Sequence, residues 1–274
     1  MFEGLRDFAA LLKAEFVFVY GDVFRRKSLL FLIVAYPYLF AFFTVLMGNA
    51  LGSTKVFMER VGVNPTVFFI VASFTIVAVL SVTDDILWRP VYDEDMGTLP
   101  YILASPVSRL KLYVAMPIPR LTITLFAGAA TVIPVLTYYR GISGFLLSLA
   151  VIGLAAVGGL MFSTMAMFLM GIIYCRSGES WRVINVLRPI LMILLGAFYP
   201  RYLMPLGARV LSWLVPPSHP ITGLQLLLAY GSSKVATALT LLGIGAALAI
   251  AYAPLGRRAV LAWERRKFVE GVKV

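Results

Sequence analysis

Acidic residues crowd two short stretches of this chain, Asp84-Asp85 and Asp93-Glu94-Asp95. Carboxylates spaced this closely could hold a divalent cation at a surface. Complementing helix ends and a basic partner is the more economical use. Other reactive chemistry is scarce. A single histidine, His219, leaves no imidazole cluster for a metal, and a single cysteine, Cys175, excludes an intramolecular disulfide and a cysteine-based zinc site. No G-x-x-x-x-G-K-S/T string occurs, so the chain has no phosphate-cradling P-loop. Acid, base and nucleophile never converge inside the apolar stretches, which leaves little from which to build an active site. No catalytic, cofactor-binding or metal-ligating residue is assigned.

The elements that must position these groups are set by composition. Of 274 residues, 61% are hydrophobic and only 14% are charged, against about 25% in a soluble domain. That balance excludes a soluble enzyme, a disordered chain and a collagen-like fibre, and it predicts an all-α polytopic membrane protein of one domain, residues 1–274. The net charge of +11 would suggest nucleic acid in a soluble protein. Here no nucleic-acid partner is expected, because in a membrane chain the position of the charges reports topology.

Charge-free stretches predict six spans. They are Leu29–Leu51, Thr66 to about Leu87, one within Leu112–Tyr139, one within Gly144–Tyr174, Val183 to about Pro200, and Val235–Leu255. Pro117, Pro119 and Arg120 crowd the start of the third and predict a kink or an interfacial first turn there. Six spans put both termini on one side with eighteen of the 24 Lys and Arg. Only Lys55, Arg60, Arg140, Arg201, Arg209 and Lys234 fall on the other. The richer side is the cytoplasmic one, and the expected location is the plasma membrane. Residues 256–274 then form a cytoplasmic basic tail. Residues 200–231, interrupted by Pro216, Pro217 and Pro220, dip in from the outer face and return. Residues 1–28 show no signal-peptide pattern. Phe2, Leu5, Phe8, Leu12, Phe16 and Val19 recur there at helical spacing, which predicts an amphipathic interface helix lying on the lipid bilayer.

Residues 88–110 carry the most information. Gly97 and Pro106 bracket a short helix; Thr98 is placed to cap it, Pro100 suits its first turn, and Ser108 is placed to cap the next. Asp93, Glu94 and Asp95 precede the positive end of the short helix, and Leu99, Ile102 and Leu103 share one of its faces. Such a helix is either a docking knob for a partner or a segment folded back on its own bilayer surface.

The string Glu94-x-x-Gly97-Thr98-Leu99, then Ser105-Pro106-x-Ser108-Arg109, resembles the coupling loop of the type-2 family of ABC transporter permeases. The order around it also resembles that family, with an amphipathic N-terminal helix, six spans and a proline-punctuated dip before the last. Pro200-x-x-Leu203-x-Pro205, Trp213 and Pro217-x-x-Pro220-Ile221-Thr222 resemble its outer hairpin. Two departures stand out. Tyr92-Asp93-Glu94-Asp95-Met96 has no basic residue before the Gly-Thr, and Ser218-His219 replaces an Asn before proline.

The resemblance implies the membrane half of an ATP-binding-cassette exporter. Two permease chains would pair, as a homodimer or a heterodimer, each on a separate cytoplasmic ABC ATPase subunit that binds the ATP and magnesium. Leu99, Ile102 and Leu103 are expected to enter a groove of the ATPase while Asp93, Glu94 and Asp95 meet its basic residues. Span interiors almost free of charge suggest an amphipathic or apolar cargo such as a drug, lipid or lipid-linked molecule. Trp213 suits an aromatic anchor at the outer interface, and His219 a turn residue rather than a proton relay. The rival classes are an ion-coupled secondary transporter, disfavoured by the lack of intramembrane acids, and a non-transporting membrane assembly factor on the same fold.

Overall fold

A computed structural model describes residues 2–28 and 54–270 continuously; of residues 29–53, where the first span is expected, it describes only isolated positions. Among the described residues every regular element is helical. Helix α1 spans Phe2–Arg25 and α2 Thr54–Val61. The long α3, Pro65–Asp95, is followed by the short α4, Leu99–Ala104, and α5, Arg109–Ala115. The longest, α6, spans Ile118–Arg176, and α7 spans Ser180–Leu195. A 3-10 turn at Arg201–Leu203 leads to α8, Leu206–Trp213, and α9, Ser218–Tyr230. A second 3-10 turn precedes α10, Val235–Glu270.

Three helical stretches are long and apolar enough to cross a membrane: Pro65–Asp95, Arg109–Arg176 and Ser218–Val269. The second is a hairpin. Gly141, at φ +61° and ψ −141°, breaks α6, a conformation open to glycine and costly for any residue with a Cβ. The chain then doubles back on itself. A Cβ on Gly144 would strike the Leu136 carbonyl, and one on Gly159 would lie 3.2 Å from Leu121. The third stretch folds back in the same way, with Gly223 against Ala238 and Gly245 against the Pro216 carbonyl.

Close contacts fix the helix directions. Gly158 and Tyr174 meet Val79 and Leu87, so the second half of α6 runs alongside α3 in the same sense. Gly128 meets Phe74 and Arg120 meets Asp85, so its first half runs opposite. Gly171 packs on Ala259 and Gly256 on Met167, so α10 runs parallel to the second half of α6. These glycines have no side chain to hold the backbones apart, which is what lets apolar helices associate where water supplies no driving force. The core they enclose is built of Val79, Val82, Ile86, Phe74, Phe162, Met167 and Met170.

Four boundaries differ from expectation. Helix α3 does not close at Asp84-Asp85 but continues through Pro90 to Asp95, so residues 88–95 are helix rather than loop. At about 1.5 Å per residue its 31 residues exceed a roughly 30 Å hydrocarbon layer by several turns, and ion pairs hold the overhang. The expected basic tail is likewise the continuation of α10 to Glu270, with Val260, Trp263 and Glu264 buried against the body. The expected fifth span ends five residues early, where Gly196 at φ +73° caps α7. Finally, where a kink or an interfacial first turn is expected, Pro117 lies in a two-residue break between α5 and α6.

Candidate functional site

One end of the bundle gathers the acidic clusters, and the turn after α3 organises them. Gly97, at φ +68°, reverses the chain. The Thr98 amide donates to the Asp93 carbonyl at 2.9 Å, and the Gly97 amide donates to Glu94 at 3.1 Å. This paired closure satisfies the last carbonyls of α3. It also brings the Thr98 side chain back beside Asp93, where Oγ1 donates to Oδ1 at 2.9 Å. The expected side-chain cap on α4 does not form at Thr98, since the Thr98 backbone is helical (φ −88°, ψ −16°) rather than the extended form in which a capping oxygen can accept from the first amides. Ser108 makes no side-chain cap either.

From Asp93 the contacts run to the N-terminal helix. Arg89 Nε donates to Asp93 Oδ2 at 2.8 Å, and its Nη1 donates to Glu15 on α1 at 3.2 Å. Glu15 and Asp93 are both buried. Burial pushes the Glu15 carboxyl above its usual range, and Arg89 opposes that shift.

On the other side of α4 the contacts run to the C-terminal helix. Arg109 Nε pairs with Glu264 at 2.5 Å. The same guanidinium donates to the carbonyls of Leu103 at 3.0 Å and of Ser105 and Val107 at 3.2 Å. Arg109 thus closes the C-terminal end of α4 and ties it to α10 at once. Glu94 accepts from Lys267 at 3.0 Å. Burial raises the Glu264 carboxyl above its usual range, against the lowering effect of Arg109.

The short helix is therefore lashed to both ends of the chain, and this changes which of its faces is available. Leu99 and Leu103 are 1% and 6% exposed and belong to the protein's own core, with Ile102 packed beside them. The face expected to enter a partner is turned inward, because an apolar stripe buries itself wherever its own chain offers a surface. The exposed face consists of Pro100, Tyr101 and Ala104, with Tyr101 78% exposed. Of the acidic run, Asp93 and Glu94 are engaged within the chain and only Asp95 is exposed. Gly97, Thr98, Pro106 and Ser108 are exposed, and Ser105 is half-buried, its Oγ accepting from the Val107 amide at 3.3 Å.

The neighbouring acids are also paired. Asp85 meets Arg120, and Asp84 meets Arg188 at 2.9 Å. No group of three metal-ligating side chains forms among the described residues.

A second polar cluster lies around the proline-rich segment. Arg201 is buried, with Nε donating to Ser212 at 3.2 Å and Nη2 to Ser218 at 2.5 Å. Its guanidinium stacks 4.7 Å from the Trp213 ring. His219 is fully buried; Nε2 faces the Trp213 carbonyl at 3.0 Å and Nδ1 lies 3.5 Å from Arg201. His219 is thus a buried member of this cluster, in the first turn of α9 rather than in a turn between elements. Neither ring nitrogen addresses a serine, so the group is not a nucleophile–base pair. Pro217 and Pro220 pack on Gly158 beside Val79, about halfway along α3, while Ala229 reaches Gly62 before its first residue. Pro200 is buried, and Leu203 is half-buried. Pro205 and Trp213 are exposed, as are Leu206, Val210 and Leu214.

Sequence reasoning missed Glu15, Arg89, Glu264 and Lys267. Glu15 left a signal: it falls three residues after Leu12 and four before Val19, an acid on the apolar stripe of α1. Arg89 left one too, standing four residues before Asp93. Glu264 and Lys267 left none, since their partners are distant in sequence. No protein-family model, curated protein or solved structure matches this chain.

Proposed function

We propose that this chain is the permease subunit of a type-2 ATP-binding-cassette exporter, embedded in the plasma membrane by six spans with both termini in the cytoplasm. The observation that carries the reading is the tethering of α4. A short helix with an exposed outer face is held to the N-terminal helix through Thr98, Asp93, Arg89 and Glu15, and to the C-terminal helix through Arg109 and Glu264. A push on α4 reaches both ends of the chain through buried charge-assisted contacts, which suits a coupling element.

The alternating helix directions support the span count. Arg140 donates to the Leu228 carbonyl and Tyr202 to that of Arg60, so residues assigned to the outer side meet one another at one end. Residues 200–231 form the re-entrant outer hairpin, with its deepest point at Pro217. Each chain pairs with a second permease chain and docks on a cytoplasmic ABC ATPase subunit, which binds and hydrolyses the ATP. The docking surface is Pro100, Tyr101 and Ala104, flanked by Asp95, in place of the buried Leu99 and Leu103. The cargo is a drug, lipid or lipid-linked molecule, matching span interiors without fixed charge.

Co-expression with a candidate spanless ABC ATPase tests the reading. The two should co-purify, and the ATPase activity should respond to the permease in lipid. Tyr101→Asp should abolish co-purification while leaving the unfolding midpoint unchanged. Leu99→Ala should cost about 2–5 kcal/mol of stability, since it opens a core cavity. Failure of the wild-type chain to bind any ATPase overturns the exporter assignment.

A further inference from the structure

The basic residues of α10 divide by what they meet. Lys267 pairs with Glu94, and Arg266 donates to the Cys175 carbonyl. Arg257, Arg258 and Arg265 are exposed, and among the described residues no hydrogen bond or ion pair engages them.

The three share the side of α10 that points away from the bundle. Arg258, Leu261, Arg265 and Phe268 recur at spacings of three and four, with Arg257 beside them, and Pro254 and Ile250 continue the row toward the helix N-terminus. Ile250 is 73% exposed, and Pro254 is exposed too. The opposite side carries Gly256, Val260 and Trp263, which pack inward.

Contacts across the bundle fix the level of this row. Gly159 packs on Val82, and Tyr174 donates to the Leu87 carbonyl. Met167, between them on α6, therefore lies level with Asp84 and Asp85, the first charges on α3. Gly256 packs on Met167, so Arg257 and Arg258 stand at the same level. The length of α10 agrees. Residues 235–256 hold no charge and, at about 1.5 Å per residue, cover about 33 Å, one hydrocarbon thickness. The exposed residues within that length include Leu239, Ile250 and Leu255; the next two are arginines.

Helical side chains lean toward the helix N-terminus, which for α10 is the apolar end. All three guanidiniums thus lean toward the edge of the hydrocarbon layer, where lipid phosphates lie. A zwitterionic headgroup brings its own cation, whereas three unpaired guanidiniums call for net negative charge. The apolar row leading into them calls for acyl chains, which a soluble anion lacks.

We infer that the outward side of α10 is a binding surface for anionic lipid, with headgroup phosphates at Arg257, Arg258 and Arg265 and acyl chains along Ile250 and Pro254. It requires that α10 cross a bilayer and does not require the exporter assignment.

Native mass spectrometry of the whole chain in dodecylmaltoside tests it. The probes are phosphatidylglycerol and phosphatidylcholine with the same acyl chains. Phosphatidylglycerol should bind saturably and at least about tenfold more tightly, and the preference should shrink as salt rises. The triple variant Arg257→Gln, Arg258→Gln, Arg265→Gln should bind the two lipids alike, with its unfolding midpoint in lipid-free detergent unchanged. A charge-matched control, Lys55→Gln, Arg60→Gln, Lys234→Gln, removes exposed cations at the other end of the bundle and should keep the preference. Equal binding of both lipids by the native chain overturns the surface. So does an equal loss in the control, which would trace the preference to net charge alone. Native phosphatidylglycerol binding by the Arg257, Arg258, Arg265 variant, with pairing of chains or capture of an ATPase lost instead, would assign the row to a protein partner and also overturn it.

Discussion

Arg109 and Glu264 are 155 residues apart in the sequence, yet their side chains meet at 2.5 Å, both more than nine-tenths buried. The pair closes α4 against α10 and makes that short helix part of the body. Removing one partner leaves a buried charge uncompensated, and such losses run to about 3–5 kcal/mol. Arg109→Ala should therefore lower the unfolding midpoint in detergent well below that of a surface control such as Arg265→Ala. An unchanged midpoint would show that the contact is incidental.

Glu264 also sets a pH dependence. Burial raises its carboxyl above the usual 4.5, more than Arg109 lowers it. The folded chain therefore holds this proton more readily than the unfolded chain does. The corresponding stability is fully present below pH 4.5 and is lost as pH rises through the raised value. Glu264→Gln should remove that component, so its stability profile above pH 4.5 should be flatter than the native one. A parallel pair of profiles would refute the shift.

The three acids before Gly97 should separate by burial. Asp93 joins Thr98 to Arg89, whereas Asp95 is exposed. Asp93→Ala should cost about 1–3 kcal/mol, with the 96–104 segment more open to protease. Asp95→Lys should stay within about 0.5 kcal/mol of native and act only on a partner's binding. Equal destabilisation by the two would contradict the arrangement.

Gly141 tests the hairpin. Nothing lies within 4 Å of a Cβ placed there, so Gly141→Ala meets no clash and changes only the backbone energy. At φ +61° and ψ −141° that change should cost about 1–3 kcal/mol. Gly153→Ala, also in open space but at an ordinary helical position, should be neutral or slightly stabilising. The ranking of the two by thermal unfolding checks the reversal at residue 141.

Much of the helical plan was legible in the sequence because apolar length and charge interruptions are local properties. The breaks near Arg140 and Pro200, the short helix between Gly97 and Pro106, and the amphipathic run over residues 2–25 all follow from such signals. The end of α3 is not legible in the sequence, for a physical reason. Asp84 and Asp85 look like the edge of a span, but Arg188 and Arg120 neutralise them from helices far along the chain, so the helix continues. The orientation of α4 is hidden in the same way. A six-residue helix shows which residues share a side, and nothing local tells whether that side meets another protein or its own bundle.

By itself, the sequence determined the chemical character of this protein: a strongly apolar chain of helical pattern, poor in reactive groups, with five of its carboxylates at residues 84–95 beside one short glycine-bounded helix. Composition and periodicity suffice for that, because burial of apolar surface and hydrogen bonding within helices are satisfied segment by segment. Only the tertiary structure decided that Leu99 and Leu103 face inward, that Tyr101 faces outward, and that Glu15, Arg89, Glu264 and Lys267 hold the helix between the two ends of the chain. Those assignments depend on which charges and which small residues meet across packed helices, and sequence separation carries no record of that meeting.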